Sequence, residues 1–382
     1  MKNIRVFGAI LLIIFSISAC TQSSEKASNS EVNNTDAEFT LAKPEEVGLN
    51  PEIISELIDS IKTGFYPNRH SLLIYKDEQL VVEEYFTGKD ENWGDDLGIV
   101  TYNDSLLHDL RSVSKSVVSA CIGIAIAQGK IKSVDQPIFD FFEDYQQFNS
   151  EGREELTIKH LLTMTSGLRW NEEIPYDNPE SSEIQMINSG DAIGFVLSRE
   201  IVAKPGTVWK YNGGTTELLA EIIHRASGKN VHEFAKEFLF QPIGIPNSEW
   251  TISPATNSPA AASGLRLTPS AMLKFGMLYL QDGIWDGQQI IPKEWVKESF
   301  EAHIMRPDGQ GYGYQFWIFD YLIDGKTLHV PVAVGNGDQR IFFDLQHKML
   351  LITTAGNYNQ WDIENDASAL LKKVYSSFTV KE

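Results

Sequence analysis

The chain has 382 residues, 42% of them apolar, and its 52 acidic against 32 basic side chains give a formal charge of −20. That length and apolar content suffice for one large core or two smaller ones and exclude a disordered chain. The acidity disfavours nucleic acid and anionic lipid headgroups as partners, and a single long apolar run, at residues 8–19, excludes a multispan membrane bundle.

Lys2 and Arg5 precede that run, which is short for a spanning helix and reads as a secretory signal over residues 1–19. Cys20 follows Ile17-Ser18-Ala19, which resembles the lipobox of bacterial lipoproteins, where the cysteine is lipidated and becomes the first residue of the mature chain. The resemblance implies an exported lipoprotein whose membrane partner is reached through the lipid on Cys20. Residues 20–42 are rich in Ser, Asn, Thr and charge and read as a flexible tether. Cys121, the only other cysteine, sits in an apolar helical pattern and is expected to be a small buried side chain.

The folded domain is expected over residues 43–382. Asn50 caps a helix opened by Pro51 and carrying Ile53, Ile54, Leu57, Ile58 and Ile61 toward its core, ending at Gly64. Strand patterns follow at residues 72–75 and 80–86. Residues 87–109 are largely polar. From Ser112 the pattern turns helical and apolar nearly all round until Gly129, so this helix is buried while its first turn faces a polar loop. Helical patterns continue through the middle of the chain. Strand patterns return at residues 314–318, 328–332, 339–343 and 349–353 before a closing helix with Leu370, Leu371, Val374 and Tyr375. The expected fold is α/β (α+β): an antiparallel sheet built from both termini and flanked by helices, about 43–110 and 262–382, with an inserted mainly helical lobe, about 111–261.

Ser112 and Lys115 lie three apart where the buried helix begins, so both side chains share one helical face. A serine hydroxyl needs a neighbour to take its proton, and a lysine serves if desolvation lowers its pKa. The helix start also favours negative charge on a developing oxyanion. Ser-x-x-Lys alone is a weak signal, since Ser23 and Lys26 match it too.

Residues 111–119 resemble the first active-site motif of the serine β-lactamase and penicillin-binding-protein superfamily. Further stretches agree in order: Leu161 to Leu168, Pro205-Gly206-Thr207 before Tyr211, Gly264 to Pro269, and Tyr312 to Trp317. The resemblance implies a β-lactamase/transpeptidase-like fold and an acyl-enzyme on Ser112, with Lys115 as base and Tyr211 relaying the proton. At the second motif, Tyr211-Asn212-Gly213, glycine replaces the usual asparagine, so Asn212, or Asn171 near Trp170, is left to contact substrate. At the third, Gly335-Asn336-Gly337-Asp338, the usual cation is missing, although Arg340 is near. A main-chain N–H near Asp338, with that of Ser112, would form the oxyanion hole.

These departures place the chain nearer the superfamily's esterases and aminohexanoate-oligomer hydrolases. The expected activity is cleavage of ester or amide bonds in a small-molecule or peptide substrate. A D,D-peptidase or β-lactamase is one alternative; a non-catalytic protein of the same fold, binding a wall fragment or a partner, is the other. No metal or organic cofactor is expected: the histidines, His108 among them, are scattered without metal-ligand spacing.

Overall fold

A computed structural model describes residues 39–379, apart from 177, 255 and 324. The apolar signal, Cys20 and nearly all of the tether lie outside the described residues. No helix among the described residues is long and apolar enough to cross a membrane.

The strand Arg69–Lys76 is apolar on both faces, and that determines its place. Leu73 and Tyr75 enter one hydrophobic core, while Leu72 and Ile74 enter a second on the opposite face, so the strand must lie inside a sheet covered on both sides. It pairs antiparallel with Gln79–Tyr85 on one side and with Met349–Ala355, from the other end of the chain, on the other. Beyond Met349–Ala355 the sheet continues through Gln339–Asp344, Lys326–Gly335, Trp317–Ile323, Gly311–Tyr312 and Ile304–Met305, giving eight antiparallel strands. Both termini therefore build one sheet.

Helices Pro51–Lys62 and Ala367–Ser376 cover one face of this sheet. Asn50 caps the first, accepting from Glu52 N–H at 2.9 Å and Ile53 N–H at 3.3 Å. Pro269–Leu280 and the helix Val113–Ala127 pack on the other face, and residues 113–125 are all buried. Gly123 lies flat against the Trp295 ring, where a Cβ has no room. Cys121 is buried and free, and burial pushes its thiol pKa up. Against Val113–Ala127 packs Gly213–Ser227, the central helix of the inserted lobe.

Three sequence expectations change. Thr40 and Ala42 are not free tether: the Thr40 carbonyl accepts from Leu80 N–H at 2.8 Å, and Ala42 N–H donates to the Leu80 carbonyl at 3.1 Å. The polar stretch after Phe86 is a hairpin, Thr87–Asn92 with Asp95–Thr101, whose exposed faces leave no apolar alternation to read. Residues 314–316 are not strand. Gln315 takes a positive φ of 63° and buries its amide, which donates to the Leu161 carbonyl at 3.0 Å and accepts from the Thr216 hydroxyl at 3.1 Å.

Candidate active site

Ser112 stands at the start of the buried helix, with its backbone N–H outside the helical ladder. The turn before it is held in an unusual conformation: Arg111 has φ 48°. Asp109 fixes it, accepting from Arg111 N–H at 3.1 Å and facing Arg111 Nε at 3.0 Å, while the guanidinium also pairs with Glu91 and lies 4.8 Å over the Tyr358 ring. The neighbouring hydroxyls are occupied. Ser114 Oγ donates to the Arg111 carbonyl at 2.6 Å and accepts from Leu265 N–H at 3.0 Å; Ser116 Oγ donates to the Gln315 carbonyl at 2.8 Å. Of these three serines, Ser112 alone lines the cleft of about 470 Å³ that opens beyond the helix start.

Lys115 is fully buried behind it. Its Nζ donates to Ser112 Oγ at 3.1 Å and to the Ala262 carbonyl at 2.8 Å, and sits 5.0 Å from the Tyr211 ring centre. The Tyr211 side chain is close enough to Ser112 and Lys115 that both act to lower its pKa. Burial works against the charge on Lys115, but the Tyr211 oxygen and the Glu172 and Glu183 carboxyls outweigh it and raise its pKa to about 12. The acidic groups around Lys115, brought in from distant segments, thus oppose the lowering that desolvation alone would give it. Burial also raises Tyr211, with Lys115 opposing.

Those acidic groups form a buried set. Glu172 accepts from Trp170 Nε1 at 2.7 Å, from Gly213 N–H at 2.7 Å and from the Tyr176 hydroxyl at 3.2 Å. Burial and the Glu172 charge raise the Glu183 pKa well above the usual carboxylate range. Burial raises Glu217 to about 7; it accepts from Ala262 N–H at 2.9 Å, on the residue whose carbonyl receives Lys115. The missing second-motif asparagine now has a physical reason. The space a Cβ on Gly213 would occupy is filled by the Glu183 carboxyl.

The third-motif glycines are places of close approach. Gly335 ends its strand directly against the Leu110 carbonyl, and Gly337, with φ 88°, turns against the Tyr358 ring. A side chain at either position would push the turn away from Ser112. Gly335, Asn336, Gly337 and Asp338 all line the cleft. Asp338 is chiefly structural, however. Buried, it pairs with Arg69, faces Arg340 at 3.1 Å and accepts from Ala367 N–H at 2.8 Å. Burial would raise its pKa, but the two arginines outweigh that and lower it.

Two expected substrate contacts are corrected. Trp170 and Asn212 are not among the described residues lining the cleft. Trp170 is buried behind Glu172, to which it donates, and Asn212 caps the Gly213–Ser227 helix, accepting from Thr215 N–H at 3.2 Å. Asn171 is engaged by Ser182, its N–H donating to Ser182 Oγ at 2.9 Å. Arg340 does reach the cleft, yet it donates to the Gly335 and Gln339 carbonyls, both at 2.9 Å, and faces Asp338. The residues that sequence reasoning missed are Glu172, Glu183, Glu217 and Arg306. Arg306 lies 4.1 Å over the Trp317 ring, pairs with Asp308 and lines the cleft beside Trp209. Trp209 and Trp317 form an aromatic wall with Tyr211, whereas Phe316 is core.

A family model described as Beta-lactamase matches residues 70–368. The chain is 26% identical over 150 residues to esterase EstB of Burkholderia gladioli, covering 37% of this chain and 38% of that one. It is 24% identical over 201 residues to the 6-aminohexanoate-dimer hydrolase of Paenarthrobacter ureafaciens, covering 50% of each. The matches thus span half or less of these two relatives. In fold it is similar to the octameric penicillin-binding protein homologue from Pyrococcus abyssi, with a TM-score of 0.62 at 19% identity over 86% of this chain and 78% of that one.

Proposed function

The chain belongs to the beta-lactamase family of serine hydrolases, and from that premise we propose that it cleaves neutral ester or amide bonds through an acyl-enzyme on Ser112. The observation that carries this reading is Ser112 Oγ at the cleft, 3.1 Å from Lys115 Nζ, with Tyr211 lining the same cleft and its ring 5.0 Å from that Nζ. The Lys115–Tyr211 pair must be one proton short to act as a base. With Lys115 held as an ammonium, the vacancy falls on the Tyr211 oxygen. Ser112 Oγ attacks the substrate carbonyl as its proton passes to Tyr211, and the cation beside the phenol lowers the cost of that vacancy. Tyr211 then protonates the leaving alcohol or amine; water, giving its proton to the same oxygen, attacks the acyl carbon, and Ser112 Oγ leaves with that proton as the acid is released. The Ser112 N–H and a main-chain N–H of the 335–338 turn would hold the oxyanion; the close seating of Gly335 against Leu110 supports this placement.

The preference for neutral substrates rests on charge. Glu172, Glu173, Asp308, Asp338 and Asp366 line the cleft against Arg306 and Arg340, and each arginine is paired with an aspartate. A substrate carboxylate would enter a net acidic site with its cations engaged. The named activity of the esterase, on ester bonds, is compatible with this reading. A panel of short p-nitrophenyl esters, anilides and penicillins tests it. We expect kcat/KM on neutral esters to exceed that on an acidic penicillin by about 100-fold or more, the scale of one unpaired buried charge interaction; the reverse order would make the protein a β-lactamase or D,D-peptidase.

We further propose that the chain is exported and anchored through lipid on Cys20. The apolar run at residues 8–19 and the Ile17-Ser18-Ala19 stretch before that cysteine support this. In a bacterial host, radiolabelled palmitate should enter the wild-type protein and not Cys20→Ala; an unlabelled wild-type protein would refute the anchor.

A further inference from the structure

Three segments far apart in sequence converge on a second buried cluster, outside the cleft. His70 comes from the central strand Arg69–Lys76, Asp90 from Thr87–Asn92, and His108 from the short strand His108–Asp109 that leads into Ser112. All three are buried. His70 Nδ1 and His108 Nε2 face each other at 2.8 Å, and Asp90 Oδ1 lies 3.8 Å from both.

The hydrogen bonds around the cluster decide what those atoms carry. His108 Nδ1 lies 2.9 Å from the Asp109 carbonyl, so it bears the proton and Nε2 presents a lone pair. On the far side of His70, Nε2 lies 3.4 Å from an acceptor, Asn68 Oδ1. The Asn68 amide cannot be turned over to offer a donor. Its Oδ1 accepts from Lys89 N–H at 2.9 Å, and its Nδ2 donates to the Lys89 carbonyl at 2.8 Å. His70 therefore carries its proton on Nε2, and its Nδ1 is a second lone pair aimed at the first. The tyrosines 102 and 358 both donate to Asp90, which fixes the carboxylate in place with Oδ1 toward the two rings. Two imidazole lone pairs and a carboxylate oxygen converge on a gap with no donor of their own between them.

We propose that His70, Asp90 and His108 bind a divalent first-row transition ion, zinc by preference, that ties the three segments together immediately before the nucleophile turn. Two neutral imidazoles and one carboxylate are a common donor set for such ions, and each outer ring nitrogen donates to an oxygen acceptor, the arrangement that orients metal-ligating histidines. Tetrahedral ligands at zinc bond lengths stand roughly 3.3 Å apart. Binding therefore spreads the two nitrogens and draws in the carboxylate, each by about half an ångström, within the reach of side-chain rotation. The ion would be taken up as the chain folds, because the cluster is closed to solvent, and its binding energy would add to the stability of the hairpin and the strand before Ser112.

The competing occupant of the gap is a proton, giving an imidazolium pair balanced by Asp90. The full-length protein, stripped with chelator, refolded with zinc and gel-filtered, distinguishes them by elemental analysis. About one equivalent of zinc per chain is expected, with a higher melting temperature than the stripped protein, and cobalt substitution should give a visible d–d band. His70→Gln and Asp90→Asn should each lower bound zinc by about tenfold or more. Less than about a tenth of an equivalent in the wild type, or equal zinc in the variants, would overturn the site in favour of the shared proton. If the variants do not fold, the wild-type stoichiometry and the cobalt spectrum decide alone.

Discussion

Ser112→Ala should lower turnover of every accepted ester or amide by roughly 10⁴-fold or more, and should abolish covalent labelling by a serine-directed phosphonate. The loss is expected to be chemical and not structural. Among the described residues Ser112 Oγ has one side-chain hydrogen bond, from Lys115, and when it is removed Lys115 keeps the Ala262 carbonyl at 2.8 Å. The fold should therefore survive, with its melting temperature close to that of the wild type. Neighbouring serines cannot substitute, because Ser114 and Ser116 are buried and spend their hydroxyls on the Arg111 and Gln315 carbonyls. Intact-mass measurement is the check. One phosphonate on the wild type and none on the variant supports the acyl-enzyme; an adduct on the variant would move the nucleophile elsewhere. A wild type that takes no phosphonate and turns nothing over would be a binding protein on this fold.

What the sequence makes legible here is whatever is local. The Ser112–Lys115 spacing at the start of an apolar helix places both side chains, because three residues along a helix is one face. The sheet built from both termini follows from strand patterns that stand at the two ends of the chain with helical patterns between them. The protonation state of Lys115 is different in kind. It depends on Tyr211, Glu172 and Glu183, and no spacing links them to residue 115. The same limit explains Gly213, where the missing asparagine reads as a lost contact until the Glu183 carboxyl is seen in its place. It also explains Asn212, a plausible substrate contact by type that the helix start had already claimed as its cap. His70 and His108 are 38 residues apart and come together only because two strands meet beside Asp90.

Lys115→Met and Tyr211→Phe should each cost about 10²–10⁴-fold in kcat/KM near neutral pH, but their pH profiles should differ, and the difference assigns the base. In the wild type, kcat/KM should rise with pH as the pair loses the proton that leaves the Tyr211 oxygen free to accept. Lys115 opposes the burial that raises the tyrosine, so removing its charge raises Tyr211 further. For an opposite charge in contact the displacement is about one to three pH units, so the rising limb of Lys115→Met should move to more alkaline pH by that amount and persist. Tyr211→Phe removes the accepting oxygen, and the limb should vanish. If Lys115 were the neutral base instead, the pattern would invert: Lys115→Met would lose the limb and Tyr211→Phe would keep it. Methionine suits the test because it fills the same buried channel without a charge. The carboxyls left behind can take up protons, since Glu183 already lies well above the usual range and Glu217 at about 7, both against the pull of Lys115. Losing the cation therefore neutralises its neighbours and does not strand them as buried anions, so the variant should remain folded long enough for its profile to be read.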